Sequence, residues 1–210
     1  RPAGRQPPVE SSRVPGTNAE VQKFVAAGGY DQQAYWKSGW EVKCEQNWTA
    51  PGSFALRGFD AATQPVVGVS WYEASAFCEW LNATDAKYQY SLPEEDLWEA
   101  AARGLQGFRY SWGNRWYRGY CNSGRLLGRT SVVGTFLRAT SPCGAVDMMG
   151  NVWEWTSSLH KRWRSGRVLR GGCWGSSSGD CSAWYRIFGT PVDRYGNFGF
   201  RLARTLRPGP

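Results

Sequence analysis

Histidine is almost missing: the chain has one, His160, against 25 Lys and Arg and 17 Asp and Glu. A single imidazole argues against a histidine-rich metal site. With no GxSxG elbow beside it, it also argues against a Ser-His-Asp triad. Cysteine is sparse as well. Six thiols, at positions 44, 78, 121, 143, 173 and 181 of 210, are too few for a disulfide scaffold. None of their spacings is CxxC, which argues against a zinc ribbon. No run of about 18 apolar residues exists to span a membrane. No repeat of fixed period is visible, and the 26 glycines have no three-residue period, which excludes collagen. With 41% hydrophobic and 20% charged residues the chain is not disordered. What is abundant is aromatic: 15% of residues, including 13 Trp.

The opening RPAGRQPPVESSRVPG lacks the apolar core of a targeting signal, starts as a trimmed chain would, and reads as a flexible lead-in over 1–16. The compartment, a prokaryotic cytoplasm or a cell surface, stays open. Order begins at Thr17. Thr17 and Glu20 have the capping-box spacing, in which a hydroxyl and a carboxylate satisfy each other's free backbone N–H at a helix start. Val21, Phe24 and Val25 supply the apolar stripe and Gly28-Gly29 the stop. The same grammar predicts a helix from Ser70 and Glu73, with Ala74, Phe77, Cys78 and Leu81 on one face. It predicts a third from Ser91 and Glu94, with Leu97, Ala100 and Ala101 inward and Gly104 as the stop.

After Gly104 the texture becomes short apolar pieces punctuated by Gly, Trp and Tyr, which fits brief strands and long loops. Large rings suit such a core, since they fill space between irregular segments and each indole N–H can reach a loop carbonyl. One α+β domain over 17–206 is the reading.

Six segments carry a resemblance: PVVGVSWYEASAFCEWLN (65–82), YSLPEEDLWEAAARG (90–104), YSWGN (110–114), VDMMGNVWEWTSS (146–158), RVLRGGCW (167–174) and NFGFRLAR (197–204). Together, and in order, they resemble the formylglycine-generating-enzyme (sulfatase-modifying factor) domain family. GTNAEVQKFVAAGGY (16–30) is similar to that family's opening helix. The resemblance implies a C-type lectin-like fold, with short helices around a small twisted antiparallel sheet and extensive irregular loops.

The family's oxidases use two cysteines shortly after the RGG turn, and residue by residue these positions are Ser176 and Cys181. One thiol is missing. A hydroxyl is hard and stays protonated, so a copper(I) site loses half its soft donor set. The resemblance therefore implies no catalytic residue, with Cys181 as the alternative if a copper oxidase survives. Cys173 is a poor substitute because it follows the RGG turn directly. The family's iron-dependent oxygenases draw a histidine triad from an additional domain, which one histidine cannot build. The resemblance also implies structural calcium, with Asp147 and Glu154 giving carboxylates and Gly150 and Val152 giving carbonyls, the hard oxygen set that calcium takes. The alternative is a metal-free turn in which both acids bond backbone amides. No organic cofactor is expected.

Between RVLRGG and GFRLAR, residues 173–198 mix tiny residues with large aromatics and follow no period of 2 or 3.6. Such a mixture resembles an antigen-combining surface. The pattern RVLRGGxW…C…P…R…GFR is also similar to the ends of the variable proteins of diversity-generating retroelements, in which adenine-directed mutagenesis rewrites Asn-rich codons. Gly, Ser, Asp, Ile, Phe and Tyr at 175–177, 179–180, 187–189 and 195–198 are reachable from an AAC codon by changing adenines. Trp184 is reachable only from other adenine-containing codons. The resemblance thus implies a non-catalytic protein that binds a protein or other macromolecule through 173–198. Trp184, Tyr185, Ile187, Phe188, Tyr195 and Phe198 would be anchors, and Gly175, Ser176, Ser177, Gly179 and Asp180 would add polar readout. About a third of these large side chains should instead be core. Arg186, Arg194 and Arg201 would tie the frame.

The net charge of +8 and the cluster Lys161, Arg162, Arg164, Arg167 and Arg170 beside Trp163 invite a nucleic-acid reading. No RRM, KH or helix-turn-helix signature supports it, and a basic loop is usually a solvated face.

Overall fold

The computed structural model describes residues 9–208. The expected lead-in over 1–8 lies outside the described residues, but residues 9–16 are not a loose arm. Strand β1 (Glu10–Ser11) pairs with β7 (Ala203–Leu206), and the Ser12 and Gly16 N–H groups donate to the carbonyls of Leu202 and Phe200. Backbone pairing with the far end of the chain, which composition does not report, holds this stretch in place.

Helix α1 (Asn18–Ala26) starts on the Thr17–Glu20 capping box and buries Val21 and Phe24. A short α2 (Trp40–Glu45) follows with no side-chain cap; nothing in the sequence pattern announced it. Helix α3 (Trp71–Thr84) starts on the Ser70–Glu73 box and buries Ala74, Ala76, Phe77 and Cys78. Strand β2 (Tyr88–Ser91) retains Ser91, paired with Ala203, so α4 (Glu95–Arg103) begins later than expected. Tertiary strand pairing outcompetes the local cap. The Glu95 N–H is instead satisfied by the Ser158 hydroxyl at 2.9 Å. The inward stripe of α4 is consequently Glu95, Trp98, Ala101 and Ala102, while Leu97 and Ala100 line an open groove.

The rest of the sheet framework is β3 (Trp153–Leu159), β4 (Arg167–Arg170), β5 (Arg186–Gly189) and β6 (Phe198–Phe200). Strands β1, β7 and β2 make one antiparallel sheet; the second runs β5-β4-β3-β6 and is mixed, because β6 lies parallel to β3. Alternation along β3 sends Trp153 and Trp155 to one core with Phe24, Phe77, Leu169, Phe198 and Phe200. Glu154 points to the opposite face, where Trp98, Tyr110, Cys121, Met148, Met149 and Cys181 form a second core.

Candidate ligand-contact face

Residues 173–198 are mounted on a frame of arginines, of which Arg170 and Arg201 are fully buried. Arg201, fully buried, grips Glu154 with Nε at 2.6 Å and Nη2 at 2.8 Å, and donates to the Ser12 and Val146 carbonyls. Arg170, also buried, bonds Glu95, Glu99 and the carbonyls of Ala183 and Trp184. Burial lowers its pKa, and the two carboxylates oppose that shift. Arg186 meets Glu95 at 2.8 Å. Arg194 joins the segment to the helical half, bonding the Ala50 and Gly68 carbonyls and lying 3.0 Å from Glu73. Burial raises the pKa of Glu73; Arg194 and the Tyr30 hydroxyl, which donates to it at 2.6 Å, pull it back down.

The chain enters the segment through Gly171-Gly172. At Gly172, φ is +77° and a Cβ would fall 2.7 Å from the Cys181 sulfur, so only glycine fits the turn. Beyond it, residues 177–182 close a compact turn in which Asp180 accepts from both the N–H and hydroxyl of Ser177. Asp180 and Ser177 are thus bonded to each other at the surface.

The eleven expected contact residues separate cleanly. Trp184, Tyr185, Phe188 and Tyr195 are 40–56% exposed. Gly175 and Ser177 are exposed, and Gly179, Asp180 and Ile187 are half-buried. Two are corrected to frame. Ser176 is buried, its oxygen accepting the Cys173 N–H and its carbonyl accepting the Gly124 N–H, because it closes the turn after the glycines. Phe198 is core: its ring sits edge-on to Trp155 at 5.3 Å, since parallel pairing with β3 turns it inward.

The exposed rings do not form one patch. Tyr185 lies 6.1 Å from Trp153, and Tyr195 rests on Phe198 at 5.0 Å. Alternation along edge strand β5 turns Ile187 toward the first core and Arg186 and Phe188 to the other face. There Phe188 stacks with His160 at 4.5 Å and Trp163 at 6.3 Å. Trp184 sits apart between the guanidinium groups of Arg109 and Arg103. Sequence reasoning missed Trp174, half-buried against Phe59 at 5.9 Å, whose buried indole N–H has no partner among the described residues. Phe59 carries no sequence signal, because it arrives from a distant loop.

The two acids expected to wrap calcium have protein partners. Both Glu154 oxygens are taken by Arg201, and one also accepts the Trp98 indole N–H at 2.5 Å. The Gly150 carbonyl accepts the Val152 N–H, and Asp147 accepts the Gly134 N–H at 2.6 Å. In this structure both acids are therefore engaged by protein donors, in a hydrogen-bonded turn stitched to a buried ion pair. The two positions that the family's oxidases fill with cysteine, Ser176 and Cys181, hold a hydroxyl and a thiol. The Ser176 oxygen is engaged with Cys173, and Cys181 lies in a turn within the second core. The basic cluster also disperses: Arg170 is buried and Arg167 lies over the Trp71 ring at 3.8 Å, which leaves Lys161, Arg162 and Arg164 on an exposed loop. His160 is half-buried in its aromatic stack.

The sulfatase-modifying factor enzyme 1-like domain matches residues 7–206. The chain belongs to that family. Among relatives, hercynine oxygenase of Mycolicibacterium thermoresistibile is 33% identical over 97% of this chain and 53% of its own length. The inactive C-alpha-formylglycine-generating enzyme 2 of Mus musculus is 34% identical over 78% of this chain and 56% of its own. The chain spans about half the length of the curated relatives it matches. Treponema denticola variable protein 1 superposes with a TM-score of 0.67 at 23% identity, covering 95% of this chain and 84% of that one, and so shares the fold.

Proposed function

We propose that this domain is a non-catalytic binding module whose segment 173–198 is a diversified surface that grips a protein or another macromolecule. The observation that carries the reading is the division of labour inside the segment. Ser176, Cys181 and Phe198 are locked into buried contacts, with Gly172 and Arg201 fixing its flanks, while Trp184, Tyr185, Phe188 and Tyr195 are 40–56% exposed. A core segment would hide such rings, and a passive loop would not fix their backbone so heavily. The likeness in fold to a variable protein supports the same reading. Sequencing the locus tests it. An adenine-rich near-copy of the codons for 173–198 beside a reverse-transcriptase gene is the expected result. A locus with neither removes the diversification claim.

The 33% identity along nearly the whole chain to hercynine oxygenase favours a second reading, in which the domain is part of a longer oxygenase with its metal ligands in sequence beyond these residues. The uninterrupted gene decides between the two. An extension carrying a histidine triad, with iron-dependent oxygen consumption by the full product, would establish the oxygenase.

A further inference from the structure

Cys121 and Cys181, 60 residues apart in sequence, belong to the same second core cluster, with 2% and 0% of their surface exposed. The crossing that joins them is built on glycine. The Gly150 N–H donates to the Gly171 carbonyl at 2.8 Å. The space a Gly150 Cβ would take lies 3.4 Å from the Cys121 sulfur, and that of Gly172 lies 2.7 Å from the Cys181 sulfur. Both sulfurs are therefore packed at one Gly150/Gly171-172 junction. The loop after Cys121 is tied to the same segment, through Gly124 N–H to the Ser176 carbonyl and Arg125 N–H to the Trp174 carbonyl. The other thiols have different surroundings. Cys143 is exposed and its sulfur faces the Ala100 carbonyl; Cys173 engages Ser176 and the Asn197 amide; Cys44 is exposed, and Cys78 belongs to the helical core.

We propose that Cys121 and Cys181 are a latent disulfide, closed by exchange with a small-molecule disulfide, which staples the contact segment to the loop following Cys121. The nearness of the two thiols supports the order of events: it lowers the pKa of Cys121 and raises that of Cys181 from their ordinary values, so Cys121 ionises first. The Cys121 thiolate attacks one sulfur of the small disulfide and expels one thiolate, leaving a mixed disulfide. Cys181, once deprotonated, attacks the Cys121 sulfur and expels the second. The protein pair is oxidised by two electrons, the reagent is reduced to two thiols, and the two cysteine protons end on those thiols. Because both sulfurs are buried, closure waits on transient opening of the turn at 173–183 and is slower than reaction at Cys44 and Cys143. The pairing stands on its own geometry; only its value for holding a contact face rests on the binding reading.

The test equilibrates the reduced, folded chain with excess oxidised glutathione, blocks residual thiols with N-ethylmaleimide after unfolding, and maps the unreduced digest by mass spectrometry. A peptide linking Cys121 to Cys181 is expected, together with slower amide exchange over 173–183 than in the reduced chain. The link should persist in Cys143→Ser and be lost in Cys121→Ser. Finding Cys121 and Cys181 carrying N-ethylmaleimide or separate glutathiones once Cys44 and Cys143 have reacted, or finding Cys121 linked to Cys143 or Cys173, overturns the pairing. The wild-type map decides this even if the variants fail to fold. A link with unchanged amide exchange overturns the staple and leaves the binding reading untouched.

Discussion

Phe198 and Tyr195 stand three positions apart with their rings in edge-on contact at 5.0 Å, yet one is buried and the other exposed. Phe198 is 6% exposed and wedged against Trp155; Tyr195 is 56% exposed. Truncating a buried Phe to Ala loses the transfer free energy and leaves a cavity, together about 3–5 kcal/mol. For Tyr195 less than half the ring is covered, so roughly 90 Å² at about 25 cal/mol/Å² bounds the loss near 2 kcal/mol. In a domain of this size each kcal/mol moves Tm by about 2–4 °C, so Phe198→Ala should melt about 6–20 °C below the wild type. Tyr195→Ala should melt nearer to it, by at most about 8 °C. Urea unfolding of both variants, with unchanged slopes, is the measurement. Equal losses, or a larger loss for Tyr195→Ala, would refute the separation of frame from contact residues.

Arg201→Met strands the buried Glu154 carboxylate with the Trp98 indole as its remaining side-chain donor, and should cost about 3–5 kcal/mol in urea unfolding. A loss below about 1 kcal/mol would mean the pair is not what holds β3 to the end of the chain. Burial, the largest cause, raises the pKa of Asp147 above its ordinary 3.8. The folded state therefore binds the proton more tightly than the unfolded one, and stability falls as pH climbs from about 4 through the raised value. Asp147→Asn, which can still accept the Gly134 N–H, should remove that part of the fall and gain on the wild type toward neutral pH; parallel stability curves would contradict it. Chelation with EDTA should leave Tm unchanged, because Arg201 already satisfies Glu154. A drop of several degrees, reversed by calcium, would show a cage there after all.

Features legible in the sequence are those whose partners sit within one helical turn or one strand. The hydroxyl–carboxylate pairs Thr17–Glu20 and Ser70–Glu73 lie three residues apart and cap their helices in the folded chain. Gly104 ends α4 at a φ of +60°, and the Gly- and Trp-rich half does form short strands between long loops. Local chemistry sufficed there because the competing interactions were equally local. Ser91 shows the limit: the same spacing failed once Ala203, more than a hundred residues away, claimed its backbone.

What only the tertiary structure decided follows one rule. A carboxylate, thiol or ring in the sequence offers several partners, and the chain crossing selects among them. Glu154, a candidate calcium ligand by resemblance, became the partner of Arg201, 47 residues on. Cys121 came to the same core as Cys181, Phe198 turned inward on a parallel strand, and the exposed rings fell into separate surroundings. The sequence alone determined which residue types the contact segment contains and how its helices begin. Which of those side chains face water was decided by long-range packing, since burial depends on what other parts of the chain bring to the same place.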